Sequence, residues 1–295
     1  FHTLRFLKQG DQTAELARST ALLATVLWMI SPLQVLAVSY IVQRMASLAG
    51  MFFIMAMFFY LQGRTSPAAL KRGIYYTLFT ASALASFGSK ESTAMLPVTI
   101  FFYDLFLIQG ISRENVMRSL KLAIIPTAIV IMLAMFYTDY SAITEGFAQR
   151  GFTAGERLLT ECRVMIFYLS LLIYPLGDRF ALLHDIDVSL SLVHPWTTLP
   201  AILLIVLLIG YALWIATERR IISFCIIAFF LNHTIEGSVI SLELIFEHRN
   251  YIPSMFFFMA LSLSLIRMLA WLSYKKALQY LMATVVVCFL IVEGY

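Results

Sequence analysis

The sequence predicts an all-α, polytopic membrane protein. Of its 295 residues, 61% are hydrophobic and only 13% are charged, and the mean hydropathy is +0.85. This apolar share is well above that of an ordinary soluble domain. A helix needs about 20 apolar residues to cross a hydrocarbon layer of about 30 Å, and several runs approach that length. A bundle of membrane-spanning helices is therefore expected.

Ten apolar segments follow one another along the chain. The segment at 164–176 is the shortest and is closed by Pro175 and Gly177, so it is interpreted as a re-entrant element. We therefore predict about nine spans plus one re-entrant element on the outer face, within a single transmembrane domain over residues 1–295. The segments lie near residues 19–40, 45–61, 72–88, 92–109, 119–137, 164–176, 196–216, 221–235, 251–266 and 277–292.

The first apolar segment is interrupted by Ser31 and Pro32. Proline lacks a backbone N–H and disfavours helix in the residue before it, so a break is expected here. The chain opens on Phe1, and its first residues read like the tail of an earlier helix. An upstream span is therefore expected, and no removable signal peptide is recognised.

Loop charges set the expected orientation, because short cytoplasmic loops are enriched in Lys and Arg. The basic loops lie near 64–72, 113–121, 219–220 and 267–276. The alternate loops then face outward, and they carry acids and histidines together with basic residues. Since the basic residues form no continuous patch, nucleic-acid binding is not expected. The outward loops are 139–161, 178–194 and 236–249.

The densest polar constellation comprises Glu236, Glu243 and the run 247–251, which reads EHRNY. Ionisable groups at the edge of an apolar segment are costly to bury, so such a cluster indicates function. Arg249 is the best candidate for a phosphate contact, because a guanidinium forms two parallel hydrogen bonds to a phosphate. The alternative is a water-facing loop in which Glu247 and Arg249 form an exposed ion pair.

Two further pairs of polar residues lie between apolar segments. Lys90 and Glu91 have hardly any loop around them, so they either pair with each other or a ligand, or form a tight hairpin that meets water. Gln43 and Arg44 follow the proline break and are expected at the same outer surface. Arg44 there is either an anion contact or an interfacial anchor.

Metal-capable residue types occur in the outward loop that contains His184 and Asp185. Their spacing lacks the fixed geometry of a zinc signature such as HExxH on one helix. These two residues are therefore only weak metal candidates. No cofactor is predicted, and a divalent metal remains an open alternative.

Several stretches together resemble the membrane part of TMTC-like proteins, particularly bacterial members that carry tetratricopeptide repeats. The likeness extends from about Ser31 to Pro253, and its most specific parts are EHRNYIPS and SKE. Such proteins are similar to GT-C glycosyltransferases, which use a polyprenyl- or dolichyl-phosphate sugar on the outer or lumenal face. The stretches are SPLQVLAVSYIVQRMASLAG, FGSKESTAMLPVTIFFYDL, ERLLTECRVMIFYLSLLIYPL and LNHTIEGSVISLELIFEHRNYIPS.

The resemblance implies a GT-C-like fold that transfers a sugar from a polyprenyl-phosphate donor to a Ser or Thr hydroxyl of a protein acceptor. For a bacterial member it implies the inner membrane, a site facing the periplasm, surrounding membrane lipids and repeats after the last span. It implies that Arg249 contacts the phosphate. The other implied substrate-binding residues are His248, Arg44, Gln43 and Lys90. The weak candidates for the proton acceptor are Glu91, Glu243 and Glu247.

Two departures from the family pattern keep a second function open. The main catalytic acid is expected in an earlier outer loop, upstream of this chain. Ser31 stands where the family commonly has His, and Leu36 falls where a polar residue is frequent. The alternative is a non-catalytic GT-C-like membrane subunit that binds lipid or scaffolds a larger complex with partner subunits. A secondary transporter is disfavoured, because no inverted repeat or mid-membrane charge is found.

Overall fold

The computed structural model describes residues 2–7, 11–122, 146–147, 150–181, 184–238, 240 and 242–271, with single positions at 124, 280, 284, 287 and 288. Across these residues the chain is helical and contains no strand, which confirms the predicted all-α class. The helices are α1 (His2–Leu7), α2 (Asp11–Ile30), α3 (Val35–Ser39), α4 (Arg44–Thr65), α5 (Ala69–Ser89), α6 (Leu96–Tyr103), α7 (113–122), α8 (Ala154–Ile173), α9 (Thr198–Trp214), α10 (Arg220–Leu231) and α11 (Tyr251–Trp271). The 3-10 turns are Pro32–Gln34, Ile41–Gln43, Glu91–Met95, Gly177–Arg179 and Glu247–Asn250, and a π turn covers Asp104–Gln109.

Three helical stretches in the described residues are long and apolar enough to cross a membrane: Ile41–Thr65, Glu91–Gln109 and Glu247–Trp271. A fourth is possible if the bent pair Ala14–Ile30 and Pro32–Ser39 is counted as one span. The expectation of about nine spans is therefore not supported.

Part of the shortfall follows from helix length. α9 has 17 residues, which extend over only about 26 Å. The apolar helix Arg220–His233 is shorter still. Residues 164–173 of the predicted re-entrant segment 164–176 form the second half of the longer helix α8, and residues 174–176 lie beyond its end. The predicted segments at 119–137 and 277–292 lie mostly outside the described residues.

The predicted break at Ser31 and Pro32 is confirmed. α2 ends just before it, and the helical pair on either side bends by 62°. The turn Pro32–Gln34 packs against the turn Glu247–Asn250. There the Gln34 amide Nε2 donates a hydrogen bond to Ser254 Oγ at 3.0 Å. The bend therefore places the start of α3 beside the start of α11.

α4 and α5 form an antiparallel hairpin that packs along its whole length. Near one end, the Ser86 hydroxyl donates to the Ala49 carbonyl at 2.9 Å. Near the other end, Gly63 lies against the ring of Tyr76. The hairpin thus returns the end of α5, and with it Lys90, to the start of α4.

The core consists of two clusters of buried hydrophobic side chains. One cluster lies among α4, α6, α10 and α11, and the other lies among α2, α8, α10 and α11. Because α10 and α11 contribute to both clusters, burial of their apolar side chains stabilises the whole arrangement. The connection between them, residues 232–250, carries four of the predicted site residues, Glu243, Glu247, His248 and Arg249.

Candidate functional site

The connection between α10 and α11 is held to α5 by a buried ion pair. Lys90 Nζ lies 2.7 Å from Glu236 Oε1, and each side chain is 6% exposed. Burial raises the pKa of Glu236, but the Lys90 ammonium and the Arg249 guanidinium together lower it more, so the pKa lies below its ordinary value. The expected pairing of Lys90 with Glu91 is thus corrected to Glu236, whereas a ligand contact of Lys90 stays a prediction. Glu91 is exposed.

A narrow pocket lies at the start of α11, and we call it the Arg249 pocket. Lys90, His248 and Arg249 line it together, so three of the five predicted substrate-binding residues meet in one place. Its open space is about 10 Å³, close to what one water molecule needs. Basic side chains at a helix N-terminus favour an anion. The remaining lining residues are Ala46, Ser92, Asn232, Tyr251, Ile252 and Pro253.

The other two predicted binding residues lie at the same end of α4 but do not line this pocket. Arg44 is exposed, and its Nε donates to the Val38 carbonyl at 3.2 Å. Gln43 is half-buried, and its Oε1 accepts no hydrogen bond among the described residues. Ala46, two residues after Arg44, is the residue of α4 that lines the pocket.

Arg249 is oriented by backbone carbonyls. Its Nη1 donates to Leu244 O at 3.1 Å and its Nη2 donates to Glu243 O at 2.7 Å. The guanidinium carbon lies 5.4 Å from the centre of the Phe246 ring. A guanidinium has five N–H donors, so these two bonds leave donors for a ligand. The side chain is only 4% exposed, which makes any such contact a desolvated one.

Arg157 was missed by the sequence reasoning, yet it fixes the connection. It is fully buried in α8 and donates to backbone carbonyls that no regular secondary structure satisfies. The acceptors are the carbonyl oxygens of Glu236, Ser238 and Leu242, at 2.8, 2.9 and 2.5 Å.

Glu161 was also missed, and it lies between two guanidiniums. Its Oε1 is 2.7 Å from Arg157 Nη2 and 3.9 Å from Arg249 Nη1, but it accepts no hydrogen bond within the described part of the chain. Burial raises the pKa of Glu161 to about 7, and the two guanidiniums limit the rise. The charge facing Arg249 therefore changes near neutral pH.

A local signal for these two residues was present in the sequence. Thr153 and Glu156 form a capping box that begins α8. Arg157 and Glu161 follow one turn apart, at the spacing that places them on the same helix face. This polar first half of the helix precedes the apolar run that begins at 164.

The two acids near Arg249 have other partners. Glu243 is half exposed and pairs with Arg150 at 2.5 Å. Glu247 is buried, and its Oε1 accepts from the Ala181 N–H and from His184 Nε2, each at 2.9 Å. Glu247 and Arg249 therefore do not form the exposed ion pair that was the alternative prediction.

His184 belongs to a second and larger pocket of about 300 Å³, which we call the His184 pocket. Among the described residues, no three His, Cys, Asp or Glu side chains come close enough to hold a metal ion. Asp185 is exposed beside it. The pocket is lined by Arg163, Ile166, Phe167, His184, Asp185, Ile186, Thr197, Ala201 and Ile245.

The chain matches no protein-family model, no curated protein and no solved structure.

Proposed function

We propose that this chain is the membrane domain of a glycosyltransferase that moves a sugar from a polyprenyl-phosphate donor to a protein hydroxyl on the outer face. The observation that carries the proposal is the meeting of Lys90, His248 and Arg249 in one pocket at the start of the candidate span Glu247–Trp271. A lipid phosphate needs its charged head at such a helix end and its tail along the apolar helices.

The lipid tail has a matching surface on α4. Exposed apolar side chains recur along one face of this helix, which starts beside the Arg249 pocket. A tail lying there extends into the hydrocarbon layer while its phosphate stays at the pocket. The residues of this face are Met45, Leu48, Met51 and Met55.

The proposed reaction develops negative charge on the leaving phosphate, next to the basic side chains. The acceptor hydroxyl oxygen attacks the anomeric carbon, the bond from that carbon to the phosphate oxygen breaks, and the phosphate leaves with the electron pair. The hydroxyl proton passes to a base, and the anomeric centre inverts. Arg249 and Lys90 stabilise the negative charge that grows on the leaving phosphate, which is where preorganised cations lower a barrier.

A second function is favoured because the same residues already have partners within the protein. Lys90 is paired with Glu236, Arg249 donates to two carbonyls, and the pocket has room for about one water. These contacts stabilise the connection without any ligand. In this alternative the chain is a non-catalytic subunit that binds a lipid headgroup or a partner at the same place.

The test is a titration of the purified full-length protein with a polyprenyl-phosphate sugar, following both binding and release of polyprenyl phosphate. Arg249→Ala is compared with Arg72→Ala, an exposed arginine of α5. A hydrogen bond to a charged group contributes roughly 1.5–3 kcal/mol, so Arg249→Ala is expected to weaken binding about 10- to 100-fold. The control variant is expected to match the wild type.

The outcomes separate the two functions. Arg249-dependent binding with release supports the transferase, whereas binding without release supports the non-catalytic subunit. Full transfer by Arg249→Ala would falsify the role given to the Arg249 pocket.

A further inference from the structure

The His184 pocket has hydrogen-bonding capacity that the protein itself leaves unused. Its volume of about 300 Å³ lies at the lower end of the range for small-molecule sites, and most of its wall is apolar. Thr197 lines it, and the buried Thr197 Oγ1 has no hydrogen-bond partner among the described residues. A buried polar atom without a partner is costly, so this hydroxyl indicates that the pocket receives a polar group.

The second unused group is on His184. Glu247 Oε1 accepts hydrogen bonds from the Ala181 N–H and from His184 Nε2. Because a carboxylate only accepts, Nε2 of the neutral ring carries the hydrogen and Nδ1 carries a lone pair. Nδ1 has no hydrogen-bond partner within the described part of the chain. The ring also packs edge-on against Phe167, with centroids 5.3 Å apart, so its orientation is fixed from two sides.

One short turn connects this pocket to the Arg249 pocket. Glu247, which orients His184, and Arg249 lie two residues apart in the turn Glu247–Asn250. All four residues of the turn are buried. The residue that orients His184 and the proposed phosphate-binding residue are therefore two positions apart in one buried turn.

We propose that the His184 pocket binds the acceptor, a Ser or Thr hydroxyl next to a large apolar side chain, and that His184 takes the hydroxyl proton. This inference rests on the proposed transferase function. The large apolar side chain of the acceptor packs against the wall formed by Phe167, Ile186 and Ala201. The Thr197 hydroxyl forms a hydrogen bond with the backbone of the acceptor.

The step is balanced by groups already described. The acceptor hydroxyl donates to His184 Nδ1, and its oxygen forms the new bond to the anomeric carbon. The bond between that carbon and the phosphate oxygen breaks, and the electron pair leaves with the phosphate. The proton stays on Nδ1, and the Glu247 carboxylate stabilises the resulting imidazolium, as an orienting acid does for a catalytic histidine.

The experiment measures three quantities on the full-length protein: binding of polyprenyl phosphate, binding of a fluorescent acceptor peptide, and sugar transfer. One peptide carries Leu-Ser and its match carries Gly-Ser. His184→Ala and Ala201→Phe are compared with His194→Ala, since His194 is an exposed histidine of the same loop. Removal of a general base lowers turnover by about 10²- to 10⁴-fold.

We expect His184→Ala to bind polyprenyl phosphate like the wild type, to lose turnover by that factor, and to regain part of it with added imidazole. His184→Gln, which keeps a donor for Glu247 but accepts no proton, is expected to be as slow. Ala201→Phe is expected to lose peptide binding with donor binding intact. The Leu-Ser peptide is expected to bind more tightly than Gly-Ser.

Wild-type turnover in His184→Gln overturns the base role, because a purely structural histidine tolerates that exchange. Equal binding of the two peptides, or unchanged peptide binding by Ala201→Phe, overturns the acceptor pocket. If the wild type binds the Leu-Ser peptide in an Ala201-dependent way but binds no polyprenyl phosphate, the pocket is supported and the transferase function fails.

Discussion

At the scale of single residues, the ion pair between Lys90 and Glu236 joins two distant parts of the chain. Removing one partner of a buried pair leaves an uncompensated charge and costs roughly 3–5 kcal/mol. We expect Lys90→Met to lower the free energy of unfolding by about that amount, and Lys90→Met combined with Glu236→Gln to recover much of the loss. Lys71→Met, at an exposed lysine of α5, is the control.

Chemical unfolding in detergent micelles measures this difference. If the single and double variants are equally unstable, the pair contributes through packing and not through its charge.

Glu161 predicts a pH dependence of stability. Its pKa is about 7 in the folded protein and 4.5 ordinarily, so between these values the unfolded chain loses a proton that the folded chain keeps. The contribution of Glu161 to stability therefore falls as pH rises from about 4.5 to 7 and is constant above 7. Glu161→Gln does not titrate, and this decline is expected to vanish in it.

Thermal unfolding of both proteins at pH 5, 6, 7 and 8 tests the sign. A wild type that becomes more stable relative to Glu161→Gln over this window would contradict the raised pKa.

Some residues of the site could be identified from the sequence alone, and others could not. Lys90 and Arg249 stood out because a charge at the edge of an apolar run is conspicuous in a linear sequence. The partner of Lys90 was not deducible, since Glu236 lies on a distant segment that only the folded chain brings near. The role of Glu161 was not deducible either, because it depends on burial between two guanidiniums.

At the scale of elements, the contact between α4 and α11 depends on a glycine. A Cβ at Gly50 would lie 2.7 Å from the Tyr251 ring, whereas one at Gly73 on α5 meets nothing within 4 Å. Forcing extra volume into a packed contact costs roughly 1–3 kcal/mol. Gly50→Ala is therefore expected to be destabilising, and it displaces Tyr251 from the wall of the Arg249 pocket.

Gly73→Ala is the matched control, because Ala is favoured over Gly inside a helix by about 1 kcal/mol. Unfolding free energies and polyprenyl-phosphate binding of the two variants provide the comparison. Equal effects of both exchanges would show that α4 and α11 separate freely.

Element boundaries were predictable where the cause is local. The break at Ser31 and Pro32 follows from the chemistry of proline itself and needs no knowledge of neighbours. The number of spans was not predictable in this way, because an apolar run does not fix where a helix starts and ends. The run at 196–216 forms a helix of only 17 residues, because the residues just before Thr198 form a turn instead of helix.

At the scale of the whole molecule, the candidate span Ile41–Thr65 predicts sidedness. Its 25 residues extend over about 37 Å, enough to cross the hydrocarbon layer. Tyr40→Cys and Ala68→Cys, at exposed positions just beyond its ends, are expected to react with a membrane-impermeant maleimide from opposite sides. The background is a variant with the native cysteines replaced by Ser, at Cys162, Cys225 and Cys288.

Labelling in right-side-out and inverted vesicles gives the result. The charge pattern predicts that Ala68→Cys reacts from the cytoplasmic side. Reaction of both positions from one side would show that this helix lies along the membrane instead of crossing it.

The two pockets are built from different kinds of structure. The Arg249 pocket takes its walls from helix ends and from a turn seated on α11, which both hydrophobic clusters hold in place. The His184 pocket takes one wall from the loop between α8 and α9. Under the proposed function, exchanging that loop changes the choice of recipient while the lipid carrier is served as before. Under the same proposal, the choice of recipient is a property of a loop, and the choice of carrier is a property of the helix bundle.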